Sequence, residues 1–213
     1  MFFMKIFVDL DGTLLRISSR SYIMRSLDFF HKARIYFLYC TFRPAKAKAF
    51  MSNITKTDMF DIIKEECRNI CSNKNTYCKI INESVMRYII QLRTQKCEIF
   101  LASGANEVIC SQIVNDINSI ISKDLDLKGL FTSFIASNDK INAVSQNKYK
   151  LILSYLQTNF VHRKDNKFTY IGNSFQDIAI WNNAGSVIAC NAGRMLKFVL
   201  KLLFKDRKPM IFI

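Results

Sequence analysis

The stretch IFVDLDGT at residues 6–13 decides how the rest of the chain is interpreted. Its apolar start is typical of a buried strand, and Gly12 is a turn residue that ends it. Because side chains i and i+2 of a strand point to the same side, Asp9 and Asp11 are delivered together. Two neighbouring carboxylates repel unless a metal ion, a proton or a cation compensates them. Since open parallel sheets bind ligands at the carboxyl ends of their strands, the pair predicts a ligand site.

The composition is that of a globular protein. The chain has 213 residues, of which 50% are hydrophobic and 13% aromatic, enough for one α/β domain with an insertion and too apolar for disorder. It has seven cysteines and no secretory leader, which predicts a reducing compartment and a cytoplasmic protein. No apolar run reaches the roughly 18 residues of a membrane span.

The charge is strongly basic, with 31 Lys and Arg against 17 acids and a net charge of +14. Such a balance is typical of proteins that bind nucleic acid, anionic membranes or phosphorylated ligands, although a bias toward Ile, Asn and Lys also produces it. Without a nucleic-acid motif, we expect no nucleic-acid partner. Residues 16–57 contain nine basic residues and one acid, Asp28, which predicts a basic helix in peripheral contact with an anionic membrane, or a merely solvated face.

The segment after the acidic stretch lacks the alternating pattern of strands and predicts helices. Residues 21–50 form one helical stretch, with Pro44 at a break or at a new first turn. Two further helices cover 58–70, with Thr57 as the N-cap, and 82–95.

From Cys97 onward, strands alternate with helices. The apolar runs predict strands at 98–102, 131–136, 168–171 and 187–190, and the intervening periodicity predicts helices at 106–121, 148–156, 175–182 and 194–204. Alternation of this kind indicates a parallel sheet with helices on both faces. The predicted fold class is α/β, a Rossmann-like parallel sheet flanked by helices, with an all-helical cap inserted after the first strand.

Three later features follow predicted strands. Ser103 and Gly104 offer a hydroxyl and backbone N–H groups at a strand-to-helix turn, where phosphate oxygens can bind. Lys148 opens a helix, and its point charge can neutralise a phosphate, although Lys140 and Lys150 compete for that role. The turn GNSFQD at 172–177 offers an amide and a carboxylate, which are oxygen ligands for hard cations.

The order of these features resembles the haloacid dehalogenase-like (HAD) superfamily of phosphohydrolases. DLDGT at residues 9–13 matches its first motif, Ser103 the second, Lys148 the third and GNSFQD the fourth. The helical insertion lies where this family carries a cap of the C1 type. The resemblance implies a core domain of residues 1–15 and 96–213 and a cap of residues 16–95.

The resemblance also implies an activity, a Mg²⁺-dependent phosphomonoester phosphatase. Asp9 would be the nucleophile that forms an aspartyl-phosphate, and Asp11 the general acid and base. The implied phosphate-binding residues are Thr13, Ser103, Gly104 and Lys148. The implied Mg²⁺ ligands are Asp9, Asp11, Asn173 and Asp177.

Two stretches, the fourth motif extended to Trp181 and VIACN at 187–191, resemble the HAD domain fused ahead of UbiA-type prenyltransferases. The expected substrate is therefore a phosphorylated small molecule or, as this second resemblance implies, a lipid-linked phosphate. Many family members have Asp where this chain has Asn173, so the metal site lacks one negative charge. The alternative hypothesis is therefore a low-activity or regulatory HAD-fold binding domain associated with a membrane enzyme of prenyl-lipid metabolism.

Overall fold

Six parallel strands form the centre of the protein. The computed structural model describes residues 4–41, 43–44, 46–47, 50, 58–74, 77–160, 167–205 and 207–213. The strands are β1 (Lys5–Val8), β2 (Glu98–Asn106), β3 (Ser133–Ser137), β4 (Phe168–Gly172), β5 (Ser186–Ala189) and β6 (Met210–Phe212). They form one sheet in the order β3-β2-β1-β4-β5-β6.

Eight helices flank this sheet in the part of the chain that the structure describes. They are α1 (Ser19–Ser26), α2 (Phe29–Cys40), α3 (Met59–Cys71), α4 (Glu83–Thr94), α5 (Glu107–Leu125), α6 (Gln146–Asn159), α7 (Ile178–Trp181) and α8 (Arg194–Phe204). A 3₁₀ turn, Phe175–Asp177, precedes α7. The predicted fold class, a parallel α/β sheet with helices on both faces, is confirmed.

The alternation of side chains along β1 creates two cores. Ile6 and Val8 face one side of the sheet, where they join the apolar residues of α1 to α5. Phe7 faces the other side, where it stacks on Phe100 at 4.9 Å and meets Phe168 edge-on at 5.5 Å. That second core contains the buried faces of α6, α7 and α8. A central strand that is covered on both faces consists of consecutive apolar residues, and this is why the strand could be predicted from the sequence.

Four of the helices described above, α1 to α4, lie between β1 and β2 in the sequence. Helix α3 packs against α5, and α4 packs against α3 and β2. Their buried side chains, among them Ile63 of α3 and Ile89 of α4, belong to the same core as Ile6. The boundary between a core domain and a cap of residues 16–95 stays a prediction.

The helical stretch predicted over residues 21–50, with its break or new first turn at Pro44, is wrong in having no break near Leu27. Among the described residues, one helix ends at Ser26 and another begins at Phe29, because Leu27 is extended and Asp28 is the N-cap of the second. The Asp28 carboxylate accepts a hydrogen bond from the backbone N–H of His31 at 2.9 Å, as N-cap residues do. Thr57, the predicted N-cap of the next helix, lies outside the described residues, and that helix begins after Asp58.

Two strands also differ from prediction. The strand predicted over 98–102 continues to Asn106, with a shift of register between Ala102 and Asn106 where the chain bulges. Strand β6, at the edge of the sheet, was missed, because three residues are too few to show a period. None of the helices described is long and apolar enough to cross a membrane.

Candidate active site

A cavity of about 700 Å³ opens where β1, β2 and β4 end. The chain leaves β1 toward β2 and β3 on one side and later returns to β4 on the other, so the crevice lies at a topological switch point. All predicted site residues except Thr13 line the cavity: Asp9, Asp11, Ser103, Gly104, Lys148, Asn173 and Asp177.

A buried ion pair forms the floor of the cavity. Nζ of Lys148 lies 2.7 Å from Oδ1 of Asp9, and the two residues are only 5% and 7% exposed. Lys140 and Lys150, which competed with Lys148 in the sequence, are exposed. A buried carboxylate of this kind requires a partner charge, and Lys148 supplies it.

Tyr170 links this ion pair to Asp177. Its hydroxyl accepts a hydrogen bond from Nζ of Lys148 at 3.0 Å and donates one to Oδ1 of Asp177 at 3.0 Å. Oδ2 of Asp177 accepts from the N–H groups of Asn173 and Ser174, at 3.1 and 3.0 Å, and from the Ser174 hydroxyl at 3.1 Å. Asp177 therefore holds the turn after β4 in shape. Sequence reasoning missed Tyr170, because a Tyr in a buried strand has the signal of any core aromatic.

Burial controls the titration of these groups. It raises the pKa of Asp9 to about 7, against the opposing effect of Lys148 and with the support of Asp177. Burial alone would lower the pKa of Lys148, but the Asp9 and Asp177 carboxylates outweigh it and raise that pKa. Burial and the same carboxylates raise the pKa of Tyr170 well above its ordinary value, which keeps its hydroxyl a neutral donor.

The second acid of the pair, Asp11, is oriented by the first residue of α1. Oδ1 of Asp11 accepts from the Ser19 backbone N–H at 2.8 Å, and Oδ2 accepts from the Ser19 hydroxyl at 3.1 Å. The free N–H groups and the dipole at a helix N-terminus favour a carboxylate there. Sequence reasoning missed Ser19, although paired serines before a helical stretch are an N-terminal signal.

The turn that follows the two acids packs tightly against Asn173. Gly12 has φ +78°, and a Cβ at this position would overlap the Asn173 side chain. The Thr13 hydroxyl donates to Oδ1 of Asn173 at 3.3 Å, and Thr13 is fully buried and does not line the cavity. Thr13 thus contacts Asn173, and the phosphate-binding role that the resemblance implied for it stays a prediction.

The bulge in β2 forms the next part of the wall. The Ser103 side chain is buried, and its Oγ accepts from the Ala105 N–H at 3.0 Å. The side-chain Oδ1 of Asn106 accepts from the Val108 N–H at 2.9 Å and so caps α5. The N-terminus of this 19-residue helix begins beside the cavity and favours an anion there.

The outer wall comes from α1 and α2. The Arg20 guanidinium lies 4.1 Å from the ring centre of Tyr39, and both residues line the cavity. The Tyr39 hydroxyl is buried and has no hydrogen-bond partner among the residues described, and burial raises its pKa. Arg20 forms no ion pair with a carboxylate in the described ranges. Sequence reasoning singled out neither residue.

The donor chemistry around Asp9 fits a hard divalent cation. Oδ1 of Asp9 pairs with Lys148, while Oδ2 has no hydrogen-bond partner within the described part of the chain. The Asn173 amide oxygen is a second donor beside the same turn, and hard cations prefer such oxygen ligands. Asp177 uses both of its oxygens on protein donors. No cluster of three or more His, Cys, Asp or Glu side chains that could bind a metal occurs in the ranges described.

Several solved structures have a fold similar to that of this chain. No protein-family model and no curated protein matches the chain. A protein of unknown function from Bordetella pertussis Tohama I is similar over 99% of both chains, with 13% identity and a TM-score of 0.60. A HAD family hydrolase from Salmonella enterica serovar Typhi matches 95% of this chain and 71% of its own, with 13% identity and a TM-score of 0.51.

A third structure is a phosphoserine phosphatase described as a phospho-aspartyl intermediate analogue. It matches 99% of this chain and 94% of its own, with 15% identity and a TM-score of 0.50. At identities this low, the likeness concerns the fold, while the C1-type cap and the resemblance to UbiA-fused domains stay predictions. This chain therefore shares its fold with the HAD family hydrolase and the phosphoserine phosphatase.

Proposed function

We propose that this protein is a Mg²⁺-dependent phosphomonoester phosphatase that works through an aspartyl-phosphate on Asp9. The observation that carries the proposal is the position of Asp9, which directly follows the central strand β1, lies on the floor of the cavity and is paired with Lys148 at 2.7 Å. A carboxylate beside a fixed cation at this switch point is suited to attack a phosphoryl group that the same cation holds.

The chemistry divides between the two acids of the opening motif. An Asp9 oxygen attacks phosphorus, the bond to the leaving oxygen breaks, and Asp11 donates its proton to that oxygen. Asp11 then takes a proton from a water molecule, whose oxygen attacks phosphorus and releases Asp9 and inorganic phosphate. The Ser19 hydrogen bonds keep Asp11 aimed for both transfers.

The phosphoryl oxygens lie among donors from three elements in this proposal. Lys148 provides a charge, Ser103 a hydroxyl, and Gly104 with the N-terminus of α5 provides backbone N–H groups. A Mg²⁺ ion, held by Asp9, Asn173 and the Asp11 main chain, would supply further positive charge to the phosphoryl group. Asp177, predicted as a ligand, would contribute by fixing the backbone of Asn173.

The outer wall faces the leaving group, so its chemistry bears on the substrate. Arg20 and Tyr39 offer a cation and a hydroxyl that lack other partners in the described chain. A phosphorylated small molecule with a second polar group or a lipid-linked phosphate would suit this wall. The choice between the two is left to a substrate screen.

A second candidate function is a binding or regulatory domain with little turnover. Asn173 favours it, because an amide in place of a carboxylate removes one negative charge beside Asp9 and weakens the attraction for a divalent cation. In this case the cavity binds a phosphorylated ligand without hydrolysing it efficiently.

The test is hydrolysis of p-nitrophenyl phosphate by the wild type, Asp9→Asn and Asp139→Asn, with and without a chelator. Asp139 is exposed, so its variant controls for the loss of one carboxylate. We expect Asp9→Asn to lower kcat by roughly a thousandfold or more, because the nucleophile is lost. Chelation should abolish wild-type activity, and added Mg²⁺ should restore it.

Activity that survives Asp9→Asn would overturn the mechanism. Near-zero activity in the wild type that rises strongly in Asn173→Asp would favour the binding domain. Efficient turnover by the wild type would exclude that second candidate.

A further inference from the structure

We propose that the outer side of α2 is a docking surface for an anionic membrane. Four aromatic side chains, which we call the aromatic face, project there into solvent: Phe29, Phe30, Tyr36 and Phe37. Their exposed fractions are 77%, 81%, 57% and 67%. Phe29 and Phe30 touch edge to face, with ring centroids 5.9 Å apart. Neighbouring exposed aromatics of this kind mark an interaction site, because scattered single apolar residues are the ordinary surface pattern.

The helical period places these rings on one side of α2. At roughly 100° per residue, Phe29, Phe30, Tyr36 and Phe37 fall within an arc of about 120°. Ile35 lies nearly opposite the middle of that arc and is fully buried in the core. Helix α2 therefore has two apolar sides. One packs into the core, and the other is exposed to solvent. Core packing explains the buried apolar side but not the exposed one.

Basic side chains border the aromatic face on both sides. By the same geometry, Lys32 lies about 40° beyond one edge of the arc and Arg34 about 40° beyond the other. Arg25, near the end of α1, is also exposed. The one acid of residues 16–57, Asp28, is engaged by His31, whose ring nitrogen lies 2.7 Å from its carboxylate. Aromatic rings between cations form the pattern of a helix that lies in a membrane interface.

Charge favours an anionic lipid surface, and not a second copy of the chain, as the partner of the aromatic face. Two copies docked through this face would bring two bodies of net charge +14 together, with the basic borders of both helices adjacent. An anionic lipid surface instead attracts each Lys or Arg that lies near it. The aromatic rings then enter the interfacial region while the cations contact lipid headgroups.

Helix α8 provides an internal comparison. It also exposes apolar side chains, Met195, Phe198 and Leu202, at 68%, 64% and 75%. These cover an arc of only about 60° and include one aromatic ring. The structure thus offers a second apolar strip of similar exposure, which serves as a matched control for removing apolar surface.

Helix α2 connects the proposed docking surface to the cavity. Tyr39, on another side of the same helix, lines the cavity, so the membrane-facing helix is also part of the cavity wall. The docking itself does not require phosphatase activity, and it is measured without any substrate.

The test is co-sedimentation of the full chain with vesicles of phosphatidylcholine mixed with phosphatidylglycerol, and with vesicles of phosphatidylcholine alone. We expect binding to the anionic vesicles at low salt and a steep decrease as salt is raised. Phe30→Ser with Phe37→Ser should lower the partition coefficient tenfold or more, since two rings leave the interface. Lys32→Gln with Arg34→Gln should lower it by roughly fivefold for each charge.

The matched control is Phe198→Ser with Leu202→Ser, which should bind like the wild type. Far-ultraviolet circular dichroism and hydrolysis of p-nitrophenyl phosphate should be unchanged in the α2 variants, so that lost binding is not lost folding. No binding at low salt overturns the proposal, as does equal binding by the α2 aromatic variant. A greater loss of vesicle binding in the α8 variant than in the α2 variants would assign the docking surface to α8 and overturn the proposal. A protein that does not bind vesicles but forms a dimer, which the α2 variant breaks, would assign the surface to a second copy and also overturn the proposal.

Discussion

Glu66 shows at the scale of a single residue how much depends on one buried carboxylate. It lies in α3, and its two oxygens accept hydrogen bonds from the consecutive N–H groups of Lys79, Ile80 and Ile81 at 2.5 to 3.2 Å. These N–H groups precede α4, and those of Ile80 and Ile81 would otherwise be buried without a hydrogen-bond acceptor. The carboxylate thus fastens α3 to the chain that leads into α4.

We predict that Glu66→Gln lowers the free energy of unfolding by about 2 to 3 kcal/mol, because the new NH₂ group faces donors and not acceptors. Glu65→Gln, at the exposed neighbouring position, should change it by no more than about 0.5 kcal/mol. Chemical denaturation followed by circular dichroism measures both. Equal stability of the two variants would show that water replaces the lost acceptor.

The same scale shows which site residues the sequence could predict. The sequence alone could locate three residues at the cavity: Asp9, Lys148 and Asn173. Each of them follows a strand or opens a helix at the edge of the sheet where the parallel strands end. Tyr170 and Ser19 could not be located, because their roles depend on which side chains they touch across the fold. Thr13 lies in the motif, yet its direction into Asn173 depends on the close packing of the turn at residue 12.

At the scale of elements, the first turn of α1 connects the helical segment to the chemistry. Ser19 reaches Asp11 with both its backbone N–H and its hydroxyl. On the proposed function, Ser19→Ala should lower kcat about tenfold and leave KM nearly unchanged, since a hydrogen bond that aims the proton donor is lost. Ser21→Ala, exposed on the same helix, is the control. Steady-state kinetics on p-nitrophenyl phosphate decides, and an unchanged kcat in Ser19→Ala would remove Ser19 from the positioning role.

Element boundaries depended on capping more than on periodicity. The apolar spacing of residues 21–50 continues through Leu27 and Asp28, so the pattern alone gives one helix, but the Asp28 side chain caps a new one. Helix α8 was predicted with its observed ends, because Gly193 precedes it and its apolar period is strong. The extension of β2 was beyond prediction, because a bulge is fixed by pairing with β3 and not by local sequence.

At the scale of the whole molecule, the helical segment and the sheet share a core. Buried residues of α1 to α5 and one face of β1 form a single cluster, while Trp181 lies in the cluster on the other face. We predict one cooperative unfolding transition, since neither layer keeps its buried surface without the sheet.

Three probes test this cooperativity in guanidinium chloride. Circular dichroism follows all helices, fluorescence of the single Trp181 follows the α6 to α8 layer, and alkylation of buried Cys67, read by mass spectrometry, follows α3. The three midpoints should coincide. Labelling of Cys67 at a lower denaturant concentration than the fluorescence change would instead show that the helical segment unfolds by itself.

The position of β1 in the sheet has a consequence for the order of events during synthesis. Its two neighbours are β2 and β4, and the contact between Asp9 and Lys148 spans 139 residues of chain. A ribosome therefore releases the apolar strand Lys5–Val8 long before Phe168–Gly172 exists to cover its second edge. Contacts this distant slow folding and leave strand edges open to wrong partners. The acids of the opening motif would come together with their lysine only after most of this chain has been translated, and until then one edge of the apolar strand stays uncovered.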